Sequence, residues 1–596
     1  MKETVSSLLA DSLRQYASAE AIAARGRHAL TYADLGRQLE REHAFFREHG
    51  FGPHSRIGVA MPPGPEGLVA MLAAATSATC APLDPDLEAG LLERLMKLMR
   101  LDCLIVAEAM ASNAARAAQA LGLPLLMLSW SARNPAGAHE LRTDSRQRKS
   151  APAQWPGPED LAFLWHTSGT TGVPKIVPCE QWRICLDVRK RAAERRICST
   201  DRCLITSTMS SAATARVGLL TNLAAGATAI HAGDLKAESA LAAIESLAPT
   251  YFFAAPALHS RLLELLERRS SRLQHRLRVI YSSFAEQSPQ VRARLERLLG
   301  VPMVVAYGMT EVGGIAETPL PSDACPPESV GRPTTELAIA DDAGNFLGRG
   351  EDGEVWVRGP GVIAAYESPP EANRDCFRNG WFRTGDCGHL DDRGFLHLTG
   401  RIKDAINRGG AKVSPAQVEF ALASHPAVRE AAVFARRHAT LGEDVCAVVV
   451  FEAGRSASEA ELRRFARHRL SAAKVPTRIV AAAAIPRNAL GKLQRAQLAA
   501  FGEALLRQAW EPPLGSYEEQ VARIYRQTLR IEDIGRNDQF FDRGGDSLRA
   551  VEVLEQVRET FGVALPLDAL LDNPGVAEFA RTIAESVKGT DVEAIR

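Results

Sequence analysis

Between Leu30 and about Gly400 the chain alternates short apolar runs with longer amphipathic segments. The runs Arg56 to Met61, Cys103 to Val106, Leu204 to Ser207, Tyr251 to Ala254 and Val279 to Ser282 have the length of strands, and the segments between them suit helices. That alternation predicts an α/β fold with largely parallel sheets. From Asp341 to Leu398 the pattern shortens into pieces such as GEVWVRGPG and GWFRTGD, which predict a smaller β subdomain with glycine turns. After Gly400, strands expected at Glu430 to Phe434 and Val445 to Phe451 and a helix at Ser458 to Leu470 describe a small α+β domain. Trp510 to Ser516, WEPPLGS, carries the two prolines and glycine of a linker. Beyond Tyr517 strand signals vanish, and Leu548, Val551, Leu554 and Val557 recur at helical spacing. The predicted architecture is a large multi-subdomain α/β part over 1–400, a small α+β part over 401–505, a linker over 506–516 and an all-α four-helix bundle over 517–590.

Composition narrows the function by exclusion. At 596 residues the chain exceeds one ordinary core, which agrees with several modules. Lys+Arg and Asp+Glu both number 71, so no net field draws nucleic acid or an anionic membrane, and any anion must be bound locally. The ten cysteines form no CxxC pair, as expected of reduced thiols. The first residues lack the pattern of a secretory signal, and no apolar run has membrane-spanning length, which together place the protein in the cytoplasm. Val217 to Ala232 is too short and too interrupted to span, and predicts a buried helix and strand. The arginine-rich stretches Arg189 to Arg196 and Arg268 to Arg278 read as solvated helix faces rather than nucleic-acid sites.

The strongest chemical signal follows the apolar run Leu161 to Trp165. It comprises Thr167, Ser168, Gly169, Thr170, Thr171, Gly172, Val173, Pro174 and Lys175. The glycines let backbone N–H groups approach phosphate oxygens, the four hydroxyls add donors, and the lysine adds charge. This differs from the common P-loop, whose lysine is preceded by glycine and followed by Ser or Thr; here Pro174 and Ile176 flank it. A second signal, Phe540 to Leu548 (FFDRGGDSL), exposes a serine at the start of an amphipathic helix.

The first signal resembles the phosphate loop of the adenylate-forming superfamily: acyl-CoA synthetases, luciferases and non-ribosomal peptide synthetase adenylation domains. The resemblance covers about residues 10 to 500. It continues in order through Ala81 to Pro85 (APLDP), Ala306 to Glu311 (AYGMTE), Gly353 to Gly359 (GEVWVRG), Trp381 to Asp386 (WFRTGD), Gly400 to Asp404 (GRIKD) and Pro486 to Lys492 (PRNALGK). It implies ATP and Mg2+ as cofactors. By it, Tyr307 stacks on adenine, Thr310 touches the α-phosphate, Glu311 holds Mg2+, Asp386 accepts from the ribose hydroxyls, and Arg401 assists at the sugar. Ser283, Phe284, Ala285, Gly308, Met309 and Leu398 fill out the nucleotide site. Lys492 bridges the acid's carboxylate and the α-phosphate, where a fixed ammonium best serves two converging anions. Lys403 marks the hinge of a mobile small domain.

The second signal resembles the attachment site of acyl and peptidyl carrier domains, with 4'-phosphopantetheine on Ser547 installed by a phosphopantetheinyl transferase. In relatives that load α-amino acids, an aspartate pairs with the ammonium in the segment that corresponds to Met209 to Arg216. Here that place falls near Ala213, with Ser211 and Arg216 as further pocket residues, so an α-amino acid is disfavoured. Arg216 could pair with a second carboxylate or a polar group of a substrate, or simply face solvent or a neighbouring acid. The reading is a ligase that activates a carboxylic acid, loads its own carrier domain and hands the acyl group to a downstream synthase or tailoring enzyme. A ligase using free CoA and a non-catalytic, carrier-presenting scaffold are its alternatives.

Overall fold

The structure, a computed structural model, describes residues 2–593 apart from 144–149, 152–153, 168–173, 235, 322–324, 439–440, 488–492, 494 and 542. The chain divides into two compact units, one of residues 1–398 and one of residues 399–488 with 493–596.

The first unit is built on two large, mostly parallel sheets. In the nine-stranded sheet the strands Met303–Met309, Val279–Ser282, Tyr251–Ala254, Arg202–Ile205, Thr228–His231 and Glu20–Ala23 run side by side in parallel. In the seven-stranded sheet Leu125–Ser129, Cys103–Ala107, Arg56–Ala60, Thr79–Pro82 and Leu161–Thr167 do the same, with Lys175–Glu180 antiparallel at one edge. Strands buried on both faces need continuous apolar runs, and that is what the chain supplies at these positions. One core cluster takes Ile57 and Val59 from one sheet and Ile205 and Tyr281 from the other, together with Leu68, Met71 and Leu72 of the helix Pro65–Ser77. All residues of that helix are buried, because PEGLVAMLAAATS is apolar or small at every position except Glu66, whose carboxylate is paired with Arg27. Burial of Leu68, Met71 and Leu72 contributes roughly 1.5–3 kcal/mol apiece. A smaller antiparallel sheet of Glu336–Ala340, Gly353–Arg358, Trp381–Leu390 and Phe377–Arg378 follows, with an irregularity in register between Glu354 and Trp356.

Two expectations change. Arg191 and Arg195, expected on a solvated face, are buried: Arg195 pairs with Glu317 at 2.7 Å and lies over the Tyr281 ring, and Arg191 pairs with Asp187 at 2.8 Å. Acids contributed by their own helix turn and by a distant strand make that burial tolerable. The stretch after Ser211 is not a simple helix, since Thr214–Leu220 forms a π-helix before Thr221–Ala224 returns to α geometry.

The second unit pairs Val428–His438 with Gly442–Phe451 and adds Ile406–Arg408, Ala411–Val413 and Arg478–Ala481. After the helix Arg495–Ala509 it carries, among the described residues, four more helices, Gly515–Leu529, Ser547–Phe561, Leu567–Asp572 and Val576–Glu593. Their core is built by Ala550, Val553 and Val557 rather than by the whole apolar stripe, for Leu548 and Val551 are 75% and 55% exposed. All ten cysteines are free. Among the described residues, no helix is long and apolar enough to cross a membrane, and no cluster of three His, Cys, Asp or Glu is placed to hold a metal.

Candidate active site

In the first unit the predicted nucleotide residues gather beyond the carboxyl ends of the parallel strands, where open α/β sheets bind ligands. The loop 168–173, with Ser168, Gly169, Thr170, Thr171 and Gly172, lies outside the described residues. Its described neighbours Thr167 and Lys175 face each other as an antiparallel pair. The Lys175 ammonium lies 4.2 Å from the centre of the Tyr366 ring and 3.3 Å from Cys376 Sγ. A cation on an aromatic face is held without being neutralised, and it keeps its charge for an incoming anion.

Tyr307 lies near the end of the strand Met303–Met309, and its hydroxyl donates to Asp386 Oδ2 at 2.6 Å. Asp386 is buried, and it is aimed by the irregular part of the strand Trp381–Leu390, where Gly385 adopts φ +73° and donates its N–H to Glu354 Oε1 at 3.1 Å. Two residues of separate motifs, 79 positions apart, thus meet at one point. Gly308 is required by its surroundings, because a Cβ there would lie 2.2 Å from the carbonyl oxygen of Gly313 on the paired strand. Tyr307, Met309, Phe284 and Leu398 all pack half-buried against the same core cluster. Phe284 stands at φ +78°, a conformation costly for a bulky side chain, and its ring leans on Phe253. Ser283 is half-buried beside it and Ala285 is exposed.

Glu311 is buried, and its Oε1 accepts the hydroxyl of Tyr366 at 2.7 Å. Burial, with the Glu311 carboxylate next, pushes the Tyr366 hydroxyl far above its ordinary range, so it remains a donor. Tyr366 therefore touches both Lys175 and Glu311. Sequence reasoning passed it over, although it closes the stretch GPGVIAAY directly after the GEVWVRG motif.

On the acyl side, Ser211 and Ala213 are half-buried, and Ser211 Oγ accepts the N–H of Ala213 at 3.2 Å. Arg216 is 3% exposed and faces Asp187 at 3.6 Å. Burial opposes ionisation of Asp187, but Arg191 and Arg216 outweigh it and hold the carboxyl below its usual range. Asp187 too was missed. Its only signal is that it is the one acid before the terminal Glu194, one helical turn before Arg191, in the basic helix Gln181–Glu194.

In the second unit Arg401 and Lys403 are exposed at the start of a short 3-10 turn, Ile402–Asp404, whose Asp404 pairs with Arg495 at 3.0 Å. Lys492 lies outside the described residues. Ser547 is exposed as the first residue of its helix, and Asp546 caps that helix by accepting the N–H of Arg549 at 2.8 Å. Gly544 takes φ +98°, and a Cβ on Gly545 would lie 2.4 Å from the Phe540 ring, so both glycines before the serine are dictated by the turn.

This geometry can be set beside known proteins. The AMP-binding enzyme family matches residues 9–367, its C-terminal domain matches residues 417–492, and the phosphopantetheine attachment site family matches residues 519–583. The chain belongs to the AMP-binding enzyme family. It is 31% identical over 500 residues to an oxalate–CoA ligase of Arabidopsis thaliana, covering 83% of this chain and 97% of the relative. It is 28% identical over 576 residues to a linear gramicidin synthase of Brevibacillus parabrevis, covering 93% of this chain and 7% of that synthase. The ATP-bound structure of MatB from Rhodopseudomonas palustris shares the fold, with a TM-score of 0.73 at 24% identity over 84% of this chain and 99% of that one. This AMP-binding enzyme is accordingly an adenylate-forming ligase fused to a C-terminal carrier domain: it uses ATP to activate a carboxylic acid and passes the acyl group to a thiol. Its carrier domain makes a phosphopantetheinyl transferase a necessary partner.

The chemistry explains the arrangement. Attack of a carboxylate on the α-phosphorus brings two anions together, and barriers of that kind fall when positive charge and donors are fixed beforehand. Glu311 would suit a divalent cation such as Mg2+, for it offers a hard carboxylate of which Tyr366, among the described residues, engages only Oε1.

Proposed function

We propose that this ligase activates a carboxylic acid other than an α-amino acid and loads it onto 4'-phosphopantetheine carried by Ser547 of the same chain. Tyr307 meets the adenine, Asp386 the ribose with Arg401 beside it, Thr310 the α-phosphate, and Glu311 the Mg2+ ion. Ser168, Thr170, Thr171 and Lys175 hold the outer phosphates. Lys492 steadies the converging carboxylate and phosphate, and Lys403 is the hinge between the adenylating and thiol-transfer steps. The loaded carrier then serves a downstream synthase or tailoring enzyme in a cytoplasmic natural-product pathway.

The observation that carries the substrate class is the state of the acyl side. Met209 to Arg216 contains no acid. The nearby Asp187 is already bridged by Arg191 and Arg216, so a buried ammonium would find no counter-charge there. Tethering favours loading within the chain, because the linker keeps the arm at high effective concentration.

The test is pyrophosphate exchange across aryl, alkyl, hydroxylated, dicarboxylic and α-amino acids, followed by the intact mass of the primed protein. We expect exchange with acids lacking an α-ammonium, and acyl mass on the wild-type chain but not on Ser547→Ala. Exchange driven best by an α-amino acid overturns the substrate class. A second reading, transfer to free CoA, is favoured by the CoA ligases among the relatives. Release of acyl-CoA by Ser547→Ala at the wild-type rate would establish it.

A further inference from the structure

We propose that Arg216 is a positioning residue for the nucleotide side, holding the turn that carries Thr310 and Glu311, rather than a recognition residue for the acid. This rests on the reading that Thr310 and Glu311 meet ATP and Mg2+.

Arg216 connects four separate elements. Its guanidinium donates to the Thr310 carbonyl at 3.3 Å and to Cys179 Sγ at 3.4 Å, faces Asp187 at 3.6 Å, and lies 5.0 Å from the centre of the Trp165 ring. The turn after the strand Met303–Met309 closes directly onto this cluster. Gly313 adopts φ +88°, and a Cβ there would lie 2.8 Å from both Arg216 Nη1 and Asp187 Oδ1. The π-helix secures the arginine from behind, because Thr221 donates both its N–H and, at 2.6 Å, its hydroxyl to the Arg216 carbonyl. Nη2 of the buried guanidinium already serves the Thr310 carbonyl and Cys179 Sγ, and Nη1 faces Asp187 at 3.6 Å, while Nε has no hydrogen-bond partner among the described residues. What it controls is the Thr310–Glu311 peptide, and so the direction of the Thr310 hydroxyl and the Glu311 side chain. Groups of this kind, one layer behind a metal ligand, typically change affinity or activity by about 10–100-fold when removed.

The experiment uses the full chain. Arg216→Met removes the donor and leaves Asp187 paired with Arg191. Exchange kinetics are measured with monocarboxylic and dicarboxylic acids, and ATP binding is measured by calorimetry with Mg2+ and with EDTA. We expect kcat to fall by about 10–100-fold for all acids alike, the KM for acid to stay near wild type, and the tightening of ATP by Mg2+ to shrink. Loss confined to dicarboxylic acids and read in their KM overturns the proposal in favour of acid recognition. Wild-type kinetics and wild-type Mg2+ dependence overturn it outright. Should Arg216→Met not fold, Arg216→Lys carries the test: the charge beside Asp187 remains, but one ammonium cannot serve all three partners, and the same Mg2+ effect should appear in weaker form. The binding measurement needs no acid, so it separates the two readings. A wild-type chain that binds no ATP with Mg2+ defeats the nucleotide site itself, whereas normal wild-type binding left unchanged in the variant defeats only the role of Arg216.

Discussion

The nucleotide side of the large unit and the serine loop of the helical domain are built on opposite plans. In the former, polar side chains are buried and already engaged with one another: Tyr307 with Asp386, Tyr366 with Glu311, Arg216 with Asp187. In the latter, Ser547 stands exposed on a capped helix, flanked by exposed Leu548 and Val551. The difference follows from what each must do. Stabilising charge at a phosphorus atom requires dipoles fixed before the reaction, in a site of low polarisability. Receiving a prosthetic arm requires a hydroxyl that another enzyme can reach. A site of the first kind should be sensitive to losing a single hydrogen bond, and one of the second kind only to losing the hydroxyl or the surface around it.

The largest expected effects come from removing the reacting group of either plan. Ser547→Ala should abolish priming completely, seen as absence of the arm's mass, and leave pyrophosphate exchange intact. Loss of exchange in that variant would mean that the two regions are not separable. Lys492→Ala should slow exchange by about 10²–10³-fold, the scale of losing one fixed stabiliser of transition-state charge, while ATP still binds by calorimetry. Near-normal exchange would remove Lys492 from the mechanism.

A smaller effect sharpens the comparison. Tyr366→Phe keeps the ring beneath Lys175 but deprives Glu311 of its donor. We expect exchange to fall by about tenfold or more, with a higher Mg2+ concentration needed for half-maximal rate. A variant that instead loses ATP affinity equally with and without Mg2+ would show that the ring, not the hydroxyl, is the working part.

The sequence disclosed these two plans unequally. Strand and helix alternation, the small α+β domain and the helical tail were legible because continuous apolar runs and helical patterns report local burial. The expected strands at Glu430 to Phe434 and Val445 to Phe451 lie within Val428–His438 and Gly442–Phe451. The motif residues Tyr307 and Asp386 were named from resemblance, and they meet across 79 positions. Tyr366 and Asp187 were not legible, since each matters through a partner on another element: Glu311 is 55 positions from Tyr366, and Arg216 of the π-helix faces Asp187 of the helix Gln181–Glu194. No periodicity encodes such pairs. Burial of Arg195 was hidden for the same reason, since Glu317 comes beside it only in space, whereas the i,i+4 spacing of Asp187 and Arg191 was legible and their burial was not.

The apolar stripe at Leu548 supplies the smallest test. Its spacing suggested a core-facing residue, yet Ala550, Val553 and Val557 fill the core and Leu548 is 75% exposed. An exposed leucine next to a modification site loses little in the folded domain by being changed, since surface substitutions usually lie within about 0.5 kcal/mol. If the transferase covers it during priming, burying a leucine gives roughly 1.5 kcal/mol or more, which corresponds to about tenfold in affinity. Leu548→Asp should therefore leave the thermal midpoint and pyrophosphate exchange unchanged while lowering the kcat/KM of priming by about tenfold. A lowered midpoint would return Leu548 to the core, and unaltered priming would mean that the transferase reads the serine loop alone.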